Sequence, residues 1–224
     1  IAEIPEIYGL IFLAIFSLSY SFFGGLKAVA MTDIIQVILL IFGGLAVSYI
    51  ALNIIASPSG GGAISGLGIL FEEMPQKFDM ILSSDHPDLP GIWILLGLGV
   101  WIGHISYWGF SQYITQRALA AKSLPEAQKG VMFAAYLKLL MPLVIVLPGI
   151  CAAYLFPKIP IEDSDTAYPT MMLELLPNGL LGLTFAALIA AIVSSLASMS
   201  NSISTIFTMD VCRSFAKNEI QQST

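Results

Sequence analysis

Five long apolar runs constrain this chain more than any other feature. They cover about residues 7–23, 34–55, 92–114, 131–155 and 180–209. A membrane-spanning helix needs roughly 20 consecutive apolar residues, because the hydrocarbon layer is about 30 Å thick. Each run is long enough for one crossing. The fifth exceeds one crossing, so it is expected to tilt, bend or extend into water. Charged residues make up only 11% of the 224, against about 25% in soluble domains. That is too sparse to cover a soluble surface, and 57% apolar residues exclude a disordered tail. A net charge of −6 disfavours a nucleic-acid partner. The chain therefore reads as an all-α integral membrane protein. Residues 1–224 form one membrane domain of five transmembrane helices, with longer linkers at 56–89 and 156–178.

Local punctuation supports this division. Gly24-Gly25 closes the first run, and Pro157 follows the fourth. Leu89-Pro90-Gly91 opens the third, and Pro177-Asn178-Gly179 opens the fifth. Ser123 and Glu126 have the spacing of a capping box, which starts the fourth helix before the membrane. Residues 63–78 are expected to form a short surface helix. The chain starts at Ile1 without a charged leader, so it is expected to be an internal piece of a longer protein. Cys151 and Cys212 lie far apart in or beside apolar runs, which fits packing better than a disulfide or metal pair.

Basic residues orient the helices. Lys27, Arg117, Lys122, Lys129, Arg213 and Lys217 fall in the short linkers and the C-terminal tail. The two longer linkers hold only Lys77 and Lys158. By the excess of Lys and Arg in cytoplasmic loops, the short linkers face the cytoplasm. The N-terminal end then lies outside and the C-terminal end inside.

Polar groups inside hydrocarbon are costly, so the few present mark function. In the fifth run Ala187, Ala191, Ser194, Ser195, Ser198 and Ser202 recur at helical spacing. Such a stripe permits close helix packing. It also offers oxygen ligands to a hard cation such as sodium. Ser194 and Ser195 are about 100° apart on a helix, so both can reach one ion at its edge, with the Ala191 carbonyl as a third ligand. In the third run His104, Tyr107 and Ser111 share one helical face, with Trp108 beside them and Gly103 and Gly109 as sites of local unwinding. Aromatics and hydroxyls of this kind suit a sugar, and they equally suit an interfacial belt. Lys138 lies well inside the fourth run. Asp33 sits at the start of the second, where a helix N-terminus alone would favour a carboxylate. Gly109 to Tyr113 lacks the second glycine of a hydrolase elbow, and no metal-ligand cluster or cofactor motif is present.

Longer motifs add a resemblance. Tyr107-Trp108-Gly109-Phe110-Ser111-Gln112-Tyr113-Ile114-Thr115-Gln116-Arg117 resembles the sodium:solute symporter family, in its sodium/glucose and sodium/galactose branch. So do Ala190-Ala191-Ile192-Val193-Ser194-Ser195-Leu196-Ala197-Ser198-Met199, Gly24-Gly25-Leu26-Lys27-Ala28-Val29 and Thr32-Asp33-Ile34-Ile35-Gln36. The resemblance implies core helices four to eight of a five-plus-five inverted-repeat (LeuT-type) transporter, an alternating-access symporter and not an enzyme. It implies no cofactor, with sodium as coupling ion. It assigns Ala191, Ser194 and Ser195 to the sodium site and Asp33 to the ion's route inward. It assigns Tyr107 to an inner gate on the sugar, with Trp108 beside it, and Lys138 to the sugar hydroxyls. His104 stands where a bacterial galactose transporter of that family has asparagine, so the resemblance leaves the sugar open. Inositol, an amino acid, or passive flow through a channel are the alternatives. The expected partners are sodium, a small sugar, the lipid bilayer and the remaining helices of the same transporter. The expected location is a bacterial inner membrane.

Overall fold

The structure, a computed structural model, describes residues 5–79, 95–156 and 166–215. The described residues are helical or irregular, without strands. Three helices are long and apolar enough to cross a membrane: Ile7–Ser59, Leu124–Leu155 and Asn178–Phe215. The openings at Leu89-Pro90-Gly91 and Pro157, with Lys158 and Lys217, lie outside the described residues.

Helix α1, Glu6–Ala56, joins the first two apolar runs. Residues 26–33, expected as a linker, are helical. The helix is not straight. Gly25 has φ 58° and ψ −173°, a region that only glycine occupies without strain. It separates a first arm, 6–24, from a second arm, 26–56. Both arms pack on α8, Asn178–Ile206. Ser17 Oγ donates to the Val193 carbonyl at 3.1 Å, and Ser21 Oγ to that of Ala197 at 3.2 Å. Residue numbers rise together, so the first arm runs parallel to α8. On the second arm Asp33 meets Ser194, and Gly43 abuts Thr184. The order is reversed, so this arm is antiparallel. Gly25 therefore reverses the chain. Tyr20 clasps the turn, its hydroxyl 2.9 Å from the Ala28 carbonyl and 2.5 Å from Thr32 Oγ1.

The buried core sits at the opposite end. Val47, Ala51, Leu52 and Ile55 of the second arm pack with Leu70 of α2, Ala63–Glu73. The expected surface helix at 63–78 thus ends early, and Pro75–Lys77 forms one tight turn after it. Met171 and Met172 of α7, Ala167–Leu175, close the cluster with Ile150 and Cys151 of α6, Leu147–Leu155. Cys151 is fully buried and both cysteines are free.

Residues 95–110 are helical apart from a break at Gly97 (φ −72°, ψ −119°), with a six-residue α3 at Val100–Ile105, and α4 follows as Gln112–Leu119. The fourth run is not one straight helix. After α5, Leu124–Lys138, it breaks and resumes as a π turn at Pro142–Val146 leading into α6. Pro142 has no N–H for the carbonyl four residues back, that of Lys138, so the helix yields there. Leu147 then donates to the Pro142 carbonyl, and Pro148 has no N–H to offer Leu143. Ser48 Oγ fills that gap, donating to the Leu143 carbonyl at 2.6 Å. The neighbouring Gly44 allows the approach, since a Cβ there would stand 2.8 Å from the Val144 carbonyl oxygen. The capping box does not form either. Ser123 is the N-cap of α5 without a side-chain bond, and Glu126 pairs with Lys129 at 3.0 Å instead.

Much of the exterior is apolar. Phe12, Phe22 and Phe23 of the first arm are 66%, 84% and 86% exposed. Rings like these require an apolar surround.

Gly25→Ala forces a side chain into the strained region and is expected to cost about 1–3 kcal/mol. Thermal unfolding in detergent checks this. Gly25→Ala should lower the midpoint clearly, whereas Gly9→Ala, whose new Cβ meets nothing, should leave it nearly unchanged.

Candidate functional site

Two polar clusters stand out among the apolar helices. The first joins the second arm, α4 and α8. Asp33 does not lie at a helix N-terminus, because the second arm begins about two turns earlier. Dipole stabilisation fades within the first turn, so it is not what holds this carboxylate. Arg117 holds it. One guanidinium nitrogen, NH2, lies 2.7 Å from Asp33 Oδ2 and 2.7 Å from Ser198 Oγ. Ser194 Oγ donates to the other carboxylate oxygen, Oδ1. Gln116 Nε2 donates to the Ser198 carbonyl at 3.2 Å, and Asn201 Nδ2 to Gln116 Oε1 at 3.4 Å. Ser194, Ser198 and Gln116 are buried, while the ion pair is partly accessible.

The small-residue stripe of α8 explains this geometry. Ala187, Ala197, Ser194 and Ser198 are buried where the two arms of α1 close in. Ser195 is exposed, a step of about 100° away from Ser194. Ala191 is half-buried. The structure thus brings Ser194 to Asp33 and leaves Ser195 facing away from that carboxylate.

The second cluster lies before α4. An open cavity of about 420 Å³ lies along one face of this segment, lined by Gly103, Ser106, Tyr107, Phe110 and Ser111, most of them exposed. Ser106–Phe110 is a π turn, and Ser111 is extended at φ −76° and ψ 111°. The wider turn changes the phase expected of an α-helix. His104, next to Gly103 in the regular helix before that turn, is not among the lining residues, though Tyr107 and Ser111 are. The irregular backbone lies at Gly97, at the π turn and at Ser111. Gly103 is in regular helix. Trp108 packs edge-on to Tyr107 with ring centres 5.4 Å apart. Lys138 Nζ stands 4.6 Å from the centre of the Trp108 ring, a cation–π contact. Lys138 therefore reaches the aromatic cluster from the end of α5, where the chain breaks before Pro142.

Sequence reasoning missed Arg117 as the partner of Asp33, and Gln116 and Ser198 as the groups that complete the network around Arg117 and α8. A usable signal was present. A carboxylate among apolar residues demands a cation, and Arg117 closes the Tyr107–Arg117 motif.

The model of the sodium:solute symporter family matches residues 4–224. The chain is 46% identical to a sodium/glucose cotransporter of Vibrio parahaemolyticus, over 96% of this chain and 42% of that protein. It is 39% identical to sodium/myo-inositol cotransporter 2 of Oryctolagus cuniculus, over 86% of this chain and 32% of that protein. The chain thus spans less than half the length of these relatives. Both relatives are named as cotransporters, not enzymes. Matched along nearly all its residues, this chain belongs to the sodium:solute symporter family.

Proposed function

We propose that these residues are part of a sodium-driven symporter for a sugar of the glucose or galactose type, working by alternating access. The match to a sodium/glucose cotransporter over 96% of the chain carries the reading. The five apolar runs are core helices four to eight of a five-plus-five inverted repeat. The Gly25 reversal supports two antiparallel crossings within α1.

The α8 stripe forms one side of a sodium site. The Ala191 carbonyl, Ser194 and Ser195 supply oxygens, which suit a hard cation. Helices beyond residues 1–224 complete the coordination on the face that Ser195 presents. Asp33 lies on the ion's route to the cytoplasm. Arg117 neutralises it there, so a passing cation competes with a guanidinium for one carboxylate. The sugar occupies the cavity beside Tyr107 and Trp108. Its apolar C–H face lies on the rings, and Lys138 donates to its hydroxyls. His104, outside the cavity wall here, joins the site only when the third run changes shape.

Charge placement supports the orientation. Lys27, beside the Gly25 turn, and Arg117 share one end with the C-terminal part of α8. Glu72, Glu73 and Glu174 lie on α2 and α7, at the other end. The basic end is cytoplasmic.

Myo-inositol is a second reading, favoured by the relatives that are named for it. Sodium-driven uptake of labelled D-glucose, competed by D-galactose and myo-inositol, separates the two. The expected result is competition by galactose at concentrations at least about tenfold below those of inositol, since one well-placed hydrogen bond accounts for such a factor. Stronger competition by inositol would reassign the substrate. Ser195→Ala should raise the sodium concentration for half-maximal uptake by about tenfold, from the loss of one ligand. An unchanged sodium dependence would remove Ser195 from the ion site.

A further inference from the structure

The helix is interrupted at Ser111, and the interruption lies between the two clusters. On one side stands the cavity wall, with Tyr107 in the π turn. On the other stands α4, which carries Arg117 to Asp33. An extended residue between helical segments is a natural flexing point, because the regular backbone ladder stops there. A side-chain contact spans it. The hydroxyls of Tyr107 and Tyr113 are 2.7 Å apart, with their rings edge-on at 6.3 Å. Tyr113 is in turn gripped from the first cluster. Its carbonyl accepts from Arg117 NH1 at 3.2 Å and from Gln116 Nε2 at 3.2 Å. Arg117 uses its other terminal nitrogen on Asp33 and Ser198. A continuous series of contacts therefore runs from Asp33 through Arg117, Tyr113 and Tyr107 to Trp108 and Lys138.

We propose that Tyr113 is a positioning residue that couples the Asp33–Arg117 cluster to the aromatic wall of the cavity. The proposal rests on the symporter reading given above. A cation that takes the oxygens of Asp33 removes the partner of Arg117. The grip of Arg117 on the Tyr113 carbonyl then changes. Tyr113 passes this change across Ser111 to Tyr107 through the shared hydroxyl bond. By linkage, a solute held against Tyr107 acts back on the cation site to the same extent. Tyr113 itself touches neither ion nor solute.

The test uses the transport-competent protein carrying these residues, reconstituted in liposomes. The probe is labelled D-glucose or myo-inositol, whichever gives the larger sodium-driven uptake. The readout is the ratio of half-saturating solute concentrations at low and at saturating sodium. Tyr113→Phe keeps the ring and deletes only the hydroxyl. It should shrink that ratio by about 2- to 12-fold, the range for one hydrogen bond. The half-saturating solute concentration at saturating sodium should stay within about twofold, as befits a group outside the binding wall. Tyr107→Phe should shrink the ratio similarly, and the double variant should lose no more than either single one. If Tyr113→Phe fails to fold, Tyr107→Phe still removes the same bond from its other end. A full sodium effect in either variant would overturn the proposal, as would losses that multiply in the double variant. Those results in a sodium-driven wild type would leave the symporter reading standing. A wild type with no sodium dependence would sink that reading, and this proposal with it.

Discussion

Asp33 is a carboxylate set between apolar helices, and its pairing with Arg117 organises much of what surrounds it. An unpaired charge in such a place would be expensive. The guanidinium draws α4 against α8 and the second arm of α1, and Ser194 and Ser198 complete the set. Removing one partner from a pair of this kind costs more than the pair contributes, because the other charge is left behind. The pair is nonetheless partly accessible, with side chains 35% and 22% exposed.

Around this cluster the helices are joined by a repeated device. Short hydroxyl side chains donate to backbone carbonyls of a neighbouring helix. Ser17 reaches Val193, Ser21 reaches Ala197, and Ser48 reaches Leu143. In an apolar surround, association cannot rely on expulsion of water, so close packing and such bonds carry it, each worth about 0.6 kcal/mol on average. Glycine permits the approach. Gly43 faces Thr184, Gly44 faces Val144, and Gly66 lies against the backbone of Leu52. The carbonyl that Ser48 satisfies is free only because prolines disrupt the helix beside it. Backbone irregularity and side-chain repair thus occur together, as a low-dielectric surround requires.

The apolar helices and Asp33 as an isolated polar residue were legible in the sequence, because both follow directly from the solvent, but Asp33 was expected at a helix N-terminus and lies about two turns inside the second arm instead. Asn178 begins α8 as the Pro-Asn-Gly signal implies. Gly24-Gly25 marked a chain reversal, although the helix resumes at once and swallows the expected linker. Three things were not legible. The third run leaves the regular helix in a π turn at Ser106–Phe110 and at the extended Ser111, which its apolar pattern does not show. The break after Lys138 depends on the amide that Pro142 lacks, four residues beyond Lys138. The partner of Asp33 lies 84 positions along the chain, and only tertiary packing selects Arg117 from the several basic residues nearby.

The account depends on coupling between an ion and a solute, so the decisive measurement is solute accumulation under a controlled gradient. Liposomes holding the transport-competent protein are loaded by an inward sodium gradient, which is then collapsed with a sodium ionophore. The account predicts accumulation above the outside concentration, followed by loss of the accumulated solute once the gradient is gone. Uptake that only equilibrates, and that ignores the collapse, would contradict it.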